Sequence, residues 1–301
     1  MKRIGNLYEK VCSIENLQLA DEKARKGKLR TYGVIEHDKK REVNLLKLRE
    51  TLLNGTFHTS KYDVFTIYEP KEREIYRLPY FPDRILHHAI MNVLEPIWVS
   101  TFTADTYSCI KNRGIHAAAK KVKQALREDP EGTTFCLKLD IRKFYPSINH
   151  DVLKSILRRK LKDKRLLRLL DEIIDSADGV PIGNYLSQYF ANLYLTYFDH
   201  WIKEQKRVKH YFRYADDIVI LASDKSYLHS LMGEIRAYLG DLKLEVKGNW
   251  QVFPVAARGI DFVGYVFFHT HTRMRKGIKK TFLPAVGEAE QTEKAIIRKG
   301  L

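Results

Sequence analysis

Tyr214-Ala215-Asp216-Asp217-Ile218-Val219-Ile220-Leu221-Ala222 sets two carboxylates at the head of an apolar run. Lys209 to Tyr214, just before it, is a second strand-like stretch. The pattern predicts a tight hairpin with Asp216 and Asp217 at its turn. Another acid stands in a similar place. Residues 133–141, Thr-Thr-Phe-Cys-Leu-Lys-Leu-Asp-Ile, alternate as a strand does, and Asp140 lies near the end. Acids at the tips of buried strands repel one another and lose hydration. A divalent cation reconciles them. Magnesium takes oxygen ligands from one or two carboxylates plus substrate phosphates, and two such ions can clamp an in-line phosphoryl displacement. An Asp-Asp pair is also a common polar turn, so the pair alone does not decide the chemistry.

Outward from this centre the chain reads as a mixed α+β protein. Residues 1–56 are charged and helical in pattern, with Gly55 as a stop signal. Residues 61–80 read as extended, and Pro82-Asp83 opens a helix through Ile97. A helix is expected from Ile115 to Arg127, two more near 150–162 and 164–176, and a long one over 184–206. After the hairpin come a helix at 225–240 and short strands near 242–247, 250–255 and 260–268. This order fits an antiparallel split β-α-β-type sheet backed by helices.

The bulk properties point to a polyanionic partner. Lys and Arg total 53 against 37 Asp and Glu, a formal net charge of +16. A basic solvated surface or binding to anionic lipid gives the same balance. The three cysteines, Cys12, Cys109 and Cys136, lie far apart. That excludes a CxxC zinc ribbon and fits a reducing cytoplasm. Met1 to Ala20 is interrupted by charges and lacks the apolar core of a signal peptide. The apolar runs Ile218–Ala222 and Val263–Phe268 are far too short to span a bilayer. A soluble protein without membrane association is expected.

Three motifs in order resemble the reverse transcriptase family. They are Asp140-Ile141-Arg142-Lys143-Phe144-Tyr145-Pro146-Ser147-Ile148, Tyr214-Ala215-Asp216-Asp217 and Gly259-Ile260-Asp261-Phe262-Val263-Gly264-Tyr265. The resemblance covers about residues 61–265 and implies a right-hand polymerase fold. It implies an N-terminal helical extension at 1–60, fingers at 61–132, a palm at 133–258, and a primer grip with a short or truncated thumb at 259–301. Some fingers elements are expected near 150–180.

By the same resemblance, Asp140, Asp216 and Asp217 are the catalytic carboxylates. They and the Ile141 carbonyl hold two Mg2+ ions, with Mn2+ as a substitute. Tyr145 matches a steric gate whose ring excludes a ribose 2′-hydroxyl; a core aromatic beside Phe144 is the plainer reading. Lys71 and Arg77 match fingers residues that hold the incoming triphosphate, and Arg73 competes with Arg77 for that place. Phe144, Ile182 and Gly183 complete the nucleotide set. Pro82-Asp83-Arg84 and Lys111-Asn112-Arg113-Gly114 look like further template and nucleotide contacts. Phe262, Gly264 and Tyr265 match the primer grip.

Ile182-Gly183-Asn184-Tyr185-Leu186-Ser187-Gln188 is more particular. Most of the family has Gln before this Gly and Pro after this Ser. Ile182 and Gln188 resemble the reverse transcriptases of diversity-generating retroelements, as does Asn249-Trp250-Gln251-Val252-Phe253-Pro254-Val255. Ile182, Gly183, Ser187 and Gln188 then form a fidelity motif. An apolar Ile182 removes a polar contact that helps separate right pairs from wrong ones.

The resemblance implies an RNA-directed DNA polymerase that is error-prone opposite adenine and diversifies a target gene. Its partners are a template RNA, the cDNA/RNA duplex, deoxynucleoside triphosphates and a pentameric accessory variability determinant protein. The alternatives are a retron, group II intron or defence reverse transcriptase without adenine mutagenesis, or a non-catalytic RNA-binding remnant. The Lys often placed as general acid is replaced by Trp250, with Lys247 nearby as a substitute. After Tyr265 only 36 residues remain, and Lys276, Lys279 and Lys280 are expected to begin the thumb. His87-His88 and His269-Thr270-His271 are expected to be structural or surface residues rather than a metal set.

Overall fold

Residues 218–221 are buried on both faces of the central sheet, and this explains their unbroken apolar run. The computed structural model describes residues 3–68 and 72–278. The central sheet contains β3 (Phe135–Asp140), β4 (His210–Tyr214), β5 (Asp217–Ala222) and β6 (Gln251–Pro254) in the order β4-β5-β3-β6. All its pairings are antiparallel. Leu137, Leu139, Ile218 and Ile220 face the main core, with the helices around Tyr185–Tyr194 and Lys225–Asp241. Cys136, Phe212, Val219 and Leu221 face a second core. That core is closed by the helix Ile115–Glu128 and by a small sheet of β7 (Ile260–Phe262), β8 (Tyr265–Phe267) and β9 (Thr272–Met274).

The remaining sheet is the exposed hairpin of β1 (Asp63–Ile67) and β2 (Arg73–Arg77). Of four N-terminal helices, Tyr8–Cys12 and Ile14–Ala24 pack against the helix Ile85–Val99, and Tyr32–Asp38 and Arg41–Asn54 pack on the turn Tyr80–Arg84 that precedes it. The last of the four, Arg41–Asn54, ends on Gly55 at φ 68°, a left-handed cap that glycine adopts without steric cost. Asp163 caps the helix Lys164–Asp175 by accepting from the Leu166 amide at 3.2 Å. The same carboxylate accepts from the amides of Leu7 and Tyr8 at 2.8 and 2.9 Å, which ties the chain's start to the core.

Several boundaries differ from expectation. The single helix expected over 184–206 is broken into Tyr185–Tyr194 and Thr196–His200, followed by a wide turn at Trp201–Gln205. The Thr196 hydroxyl donates back to the Asn192 carbonyl at 3.0 Å, a contact that bends helices. The strand expected at 242–247 is reduced to a single bridge between Ile141 and Val246, because Lys243 takes φ 59°. The strand expected at 260–268 is a hairpin instead. Val263 and Gly264 at φ 44° and 89° make its turn, and β9 adds a strand the alternation did not reveal.

Candidate active site

The hairpin tip is built under strain. Tyr214 pairs with Asp217, leaving Ala215 and Asp216 as a two-residue turn. Ala215 has φ 54°, a conformation such turns usually give to glycine or asparagine. The strain projects Asp216 from a sheet that is otherwise regular. Asp140 pairs with Asp217 across β3 and β5, so all three acids meet at one edge of the sheet.

Their surroundings separate them. Burial, then the neighbouring carboxylate of Asp140, push the Asp216 carboxyl up to about 6. The Oδ1 atom of Asp140 is buried and has no hydrogen-bond partner among the described residues. Its Oδ2 accepts from the Lys247 ammonium. Asp217 turns the other way, onto the Lys138 ammonium. Burial raises the Asp217 carboxyl, and the Lys138 charge opposes that rise. Lys138 also lies 5.1 Å from the centre of the Phe262 ring, joining this edge to β7.

The structure thus brings Asp140 and Asp216 together, with the Ile141 amide beside the Asp216 carbonyl at 3.4 Å. Among the described residues no three His, Cys, Asp or Glu side chains form a closed metal-ligand cluster. The two facing acids and the orphaned Asp140 oxygen still fit a hard cation that takes its other ligands from a phosphate. Lys247, rather than Trp250, reaches the carboxylates. Trp250 packs beneath Arg236 and beside His229.

Tyr145 is half-buried, and burial followed by the charges of Cys109 and Asp216 raises its phenol well above the ordinary tyrosine range. The phenol is thus near enough to Asp216 to feel its charge. Phe144, expected to touch nucleotide, turns its ring into the main core and meets Tyr145 edge-on at 5.6 Å. Ile182 and Gly183 lie against the exposed hairpin. The Tyr76 amide donates to the Ile182 carbonyl at 2.8 Å. Gly183 has φ 117°, and a Cβ there would come within 2.9 Å of the Tyr76 carbonyl, so the approach requires glycine. Ser187 is buried and Gln188 exposed.

Arg77 is paired with Asp63 on the neighbouring strand and stacks over Phe65 at 5.5 Å. Arg73 has no ion pair among the described residues, and Lys71 lies outside them. Asp83 is buried and accepts from the Ser60 amide, whereas half-buried Arg84 feels the charge of Arg77. Arg113 donates to the carbonyls of Thr103 and Thr106 at 2.7 and 3.2 Å, which commits it to the loop. Phe262 is fully buried, Gly264 forms its hairpin turn, and Tyr265 is half-buried. The thumb expected beyond Lys276 lies mostly outside the described residues. His87 is buried, and His88 stacks on Tyr185 at 4.5 Å.

Sequence reasoning missed the support of the tip. Arg213 and Asp199 are both fully buried and paired at 2.5 Å. Arg213 also donates to the Ala215 carbonyl at 3.1 Å, directly under the strained turn. An arginine inside the apolar stretch Tyr211-Phe212-Arg213-Tyr214 was the available signal. Lys138 was likewise visible only as the polar phase of an alternating strand.

With this geometry in hand, residues 69–267 match the family model described as Reverse transcriptase (RNA-dependent DNA polymerase). The chain belongs to the reverse transcriptase family. It is 26% identical over 279 residues to Protein YkfC of Escherichia coli, covering 77% of this chain and 73% of that one. It is 23% identical to the group II intron-encoded protein LtrA of Lactococcus lactis, over 58% of this chain but 31% of LtrA. A stretch 27% identical to nuclear intron maturase 4, mitochondrial, of Arabidopsis thaliana takes up 51% of this chain and 20% of that one.

Solved structures of telomerase from Candida tropicalis share the fold. The enzyme in complex with a fragment of telomeric RNA gives a TM-score of 0.53 at 14% identity, over 73% of this chain and 45% of that one. A form truncated from its C-terminal domain gives 0.51 at 12% identity, over 78% and 60%. The reverse transcriptase here has the right-hand polymerase fold of mixed helix and sheet. No helix among its described residues is long and apolar enough to cross a membrane.

Proposed function

We propose that this reverse transcriptase is an active RNA-directed DNA polymerase. The observation that carries the reading is the convergence of Asp140 and Asp216 around an unsatisfied carboxylate oxygen. Asp140, Asp216 and the Ile141 carbonyl hold two Mg2+ ions, or Mn2+ in their place, and Asp217 supports them. Bound there, the metal supplies positive charge that acidifies a primer 3′-hydroxyl and steadies departing pyrophosphate. Tyr145 bars a ribose 2′-hydroxyl from the sugar position. Lys71 and Arg77 hold the triphosphate, and Ile182 and Gly183 border the nascent pair. Phe262, Gly264 and Tyr265 orient the primer strand. Lys247 is placed at Asp140 to give a proton to the leaving group. In this reading residues 61–132 serve as fingers, 133–258 as palm and 259–301 as primer grip and thumb.

Primer extension on an RNA template tests it. Asp216→Asn should lower the rate at least about a thousandfold, roughly 4 kcal/mol of barrier. Salt-sensitive RNA binding should persist. Absence of cDNA from the parent protein, supplied with template and any accessory protein, would leave an RNA-binding remnant.

The finer reading is mutagenic copying in a diversity-generating retroelement, with a dedicated template RNA and the accessory pentamer in the cytoplasm. It rests on Ile182 through Gln188. The likeness to LtrA favours a second reading, a group II-type polymerase of ordinary fidelity. Sequenced cDNA separates the two. Adenine-directed errors should fall roughly tenfold in Ile182→Gln, since a restored polar contact is worth about 1–3 kcal/mol. Errors spread evenly over all template bases would sink the mutagenic reading.

A further inference from the structure

A cleft of about 820 Å3 opens between the helix Ile115–Glu128 and the β8–β9 connection. It lies on the outer side of the second core, and none of the three acids lines it. We propose that this cleft binds a single-stranded segment of RNA, at a site separate from the carboxylates. Its charge and ring geometry stand apart from catalysis.

One wall carries three cations and a histidine. His116, Lys120, Lys123 and Arg127 recur at helical spacing on one face. The opposite face of the same helix buries Ala118, Val122 and Leu126 in the core. Lys120 and Lys123 are exposed and have no ion pair among the described residues. Arg127 shares its charge with Glu128 at 3.2 Å, and among the described residues no acid lines the cleft itself. Three cations on one helix face, of which only Arg127 is ion-paired among the described residues, call for a polyanion.

The other wall presents rings. Phe268 and His271 are stacked 4.6 Å apart at an interplanar angle of 10°. The Arg273 guanidinium sits 4.6 Å from the centre of the Phe268 ring. Tyr265, assigned above to the primer strand, also borders the cleft, and the stack of Phe268 and His271 does not depend on it. Such a stack is extended by an unpaired base, whose faces are free only in a single strand. Cations along one side and rings along the other match phosphates and bases of the same strand. The hydroxyls of Thr270 and Thr272 belong to the same wall as the rings, with Thr270 Oγ1 2.9 Å from His271 Nδ1, and offer partners for a ribose 2′-hydroxyl, so RNA rather than DNA is the occupant.

Fluorescence anisotropy with a short labelled oligouridine tests the site, using Asp216→Asn protein so that catalysis does not enter. An excess of unlabelled blunt primer–template hairpin fills the catalytic cleft. Oligouridine should still bind under that excess. Lys120→Glu/Lys123→Glu should weaken it roughly tenfold, and the slope of log affinity against log salt should fall by about 1.4, two phosphate contacts at about 0.7 each. Phe268→Ala should weaken it several-fold with the salt slope unchanged. Both lysines are exposed, so the melting temperature of the charge variant should stay put, and Lys120→Gln/Lys123→Gln repeats the test without charge reversal.

Full displacement by the blunt hairpin would overturn the proposal, because the cleft would then belong to the duplex path. Equal affinity for oligothymidine DNA would overturn the choice of RNA. Polyglutamate competing as well as oligouridine at matched charge would make this an acidic-protein surface and also overturn it.

Discussion

Two acid clusters flank the same hairpin and are solved in opposite ways. At the base, the Asp199 carboxylate is fully satisfied. Its Oδ1 accepts from Tyr211 at 2.5 Å and Arg213 Nε at 2.7 Å, and its Oδ2 accepts from Arg213 Nη2 at 2.5 Å and Thr106 at 2.9 Å. Arg213 spends a further N–H on Asn192 at 3.1 Å. At the tip, Asp140 and Asp216 face each other with one oxygen unpartnered, on a turn with a positive φ. The first arrangement holds a fold together without outside help. The second costs the fold stability and makes sense only if something else completes it. At this hairpin the complete pairing belongs to scaffold, and the incomplete pairing coincides with the facing acids.

The largest effect should come from breaking the scaffold. Asp199→Asn leaves the Arg213 guanidinium buried without its counter-charge, a loss of about 3–5 kcal/mol. Urea unfolding should show it as a fall in midpoint that exceeds any change at the tip. A loss below about 1 kcal/mol would remove the distinction drawn between the two clusters.

Breaking the tip should act in the other direction. Asp216→Asn removes a like charge from Asp140 and should raise metal-free stability by roughly 0.5–2 kcal/mol while abolishing extension. The pH dependence follows from the Asp216 carboxyl. Its folded value near 6 exceeds the unfolded 3.8, so the folded state holds the extra proton between them. The stability this contributes is full below about 3.8 and is lost as pH rises through about 6. Melting temperatures of the metal-free parent should therefore drop across that window relative to Asp216→Asn. Parallel curves for the two proteins would show that Asp216 is not held up by its neighbour.

Legibility in the sequence divides along the same line. Apolar periodicity located β3, β4 and β5, because strands buried on one or both faces must show it. The acids at their ends stood out because charge is costly there. Of the tip's partners, Lys247 was legible as a substitute general acid, but its contact with Asp140 and the role of Lys138 were not. Lys138 and Lys247 reach the carboxylates through register, which places Lys138 two residues before Asp140 and brings Lys247 onto the Asp140 carbonyl at 2.9 Å. Arg213 looks like one cation among many until the fold removes it from water. Short irregular pieces also escaped: the turn at Val263-Gly264 and the break at Leu195 depend on single dihedrals and on one back-bonded threonine. The basic cleft was hidden for another reason, since its two walls are separated by more than a hundred residues of chain.

The smallest effect concerns the join between the two clusters. Ala215 carries the strained turn, and Arg213 Nη1 holds its carbonyl at 3.1 Å. Ala215→Gly relieves a steric cost of about 1–2 kcal/mol at positive φ. It also frees the unfolded chain, which takes back about 0.5–1 kcal/mol. The net gain in stability should be at most about 1.5 kcal/mol. Extension should slow a few-fold, because a glycine tip samples positions in which Asp216 no longer faces Asp140. If the rate is unchanged, the hydrogen bond from Arg213 alone suffices to aim the tip, and the strain at Ala215 is incidental. If stability falls instead, the side chain of Ala215 is contributing packing that outweighs its strained backbone.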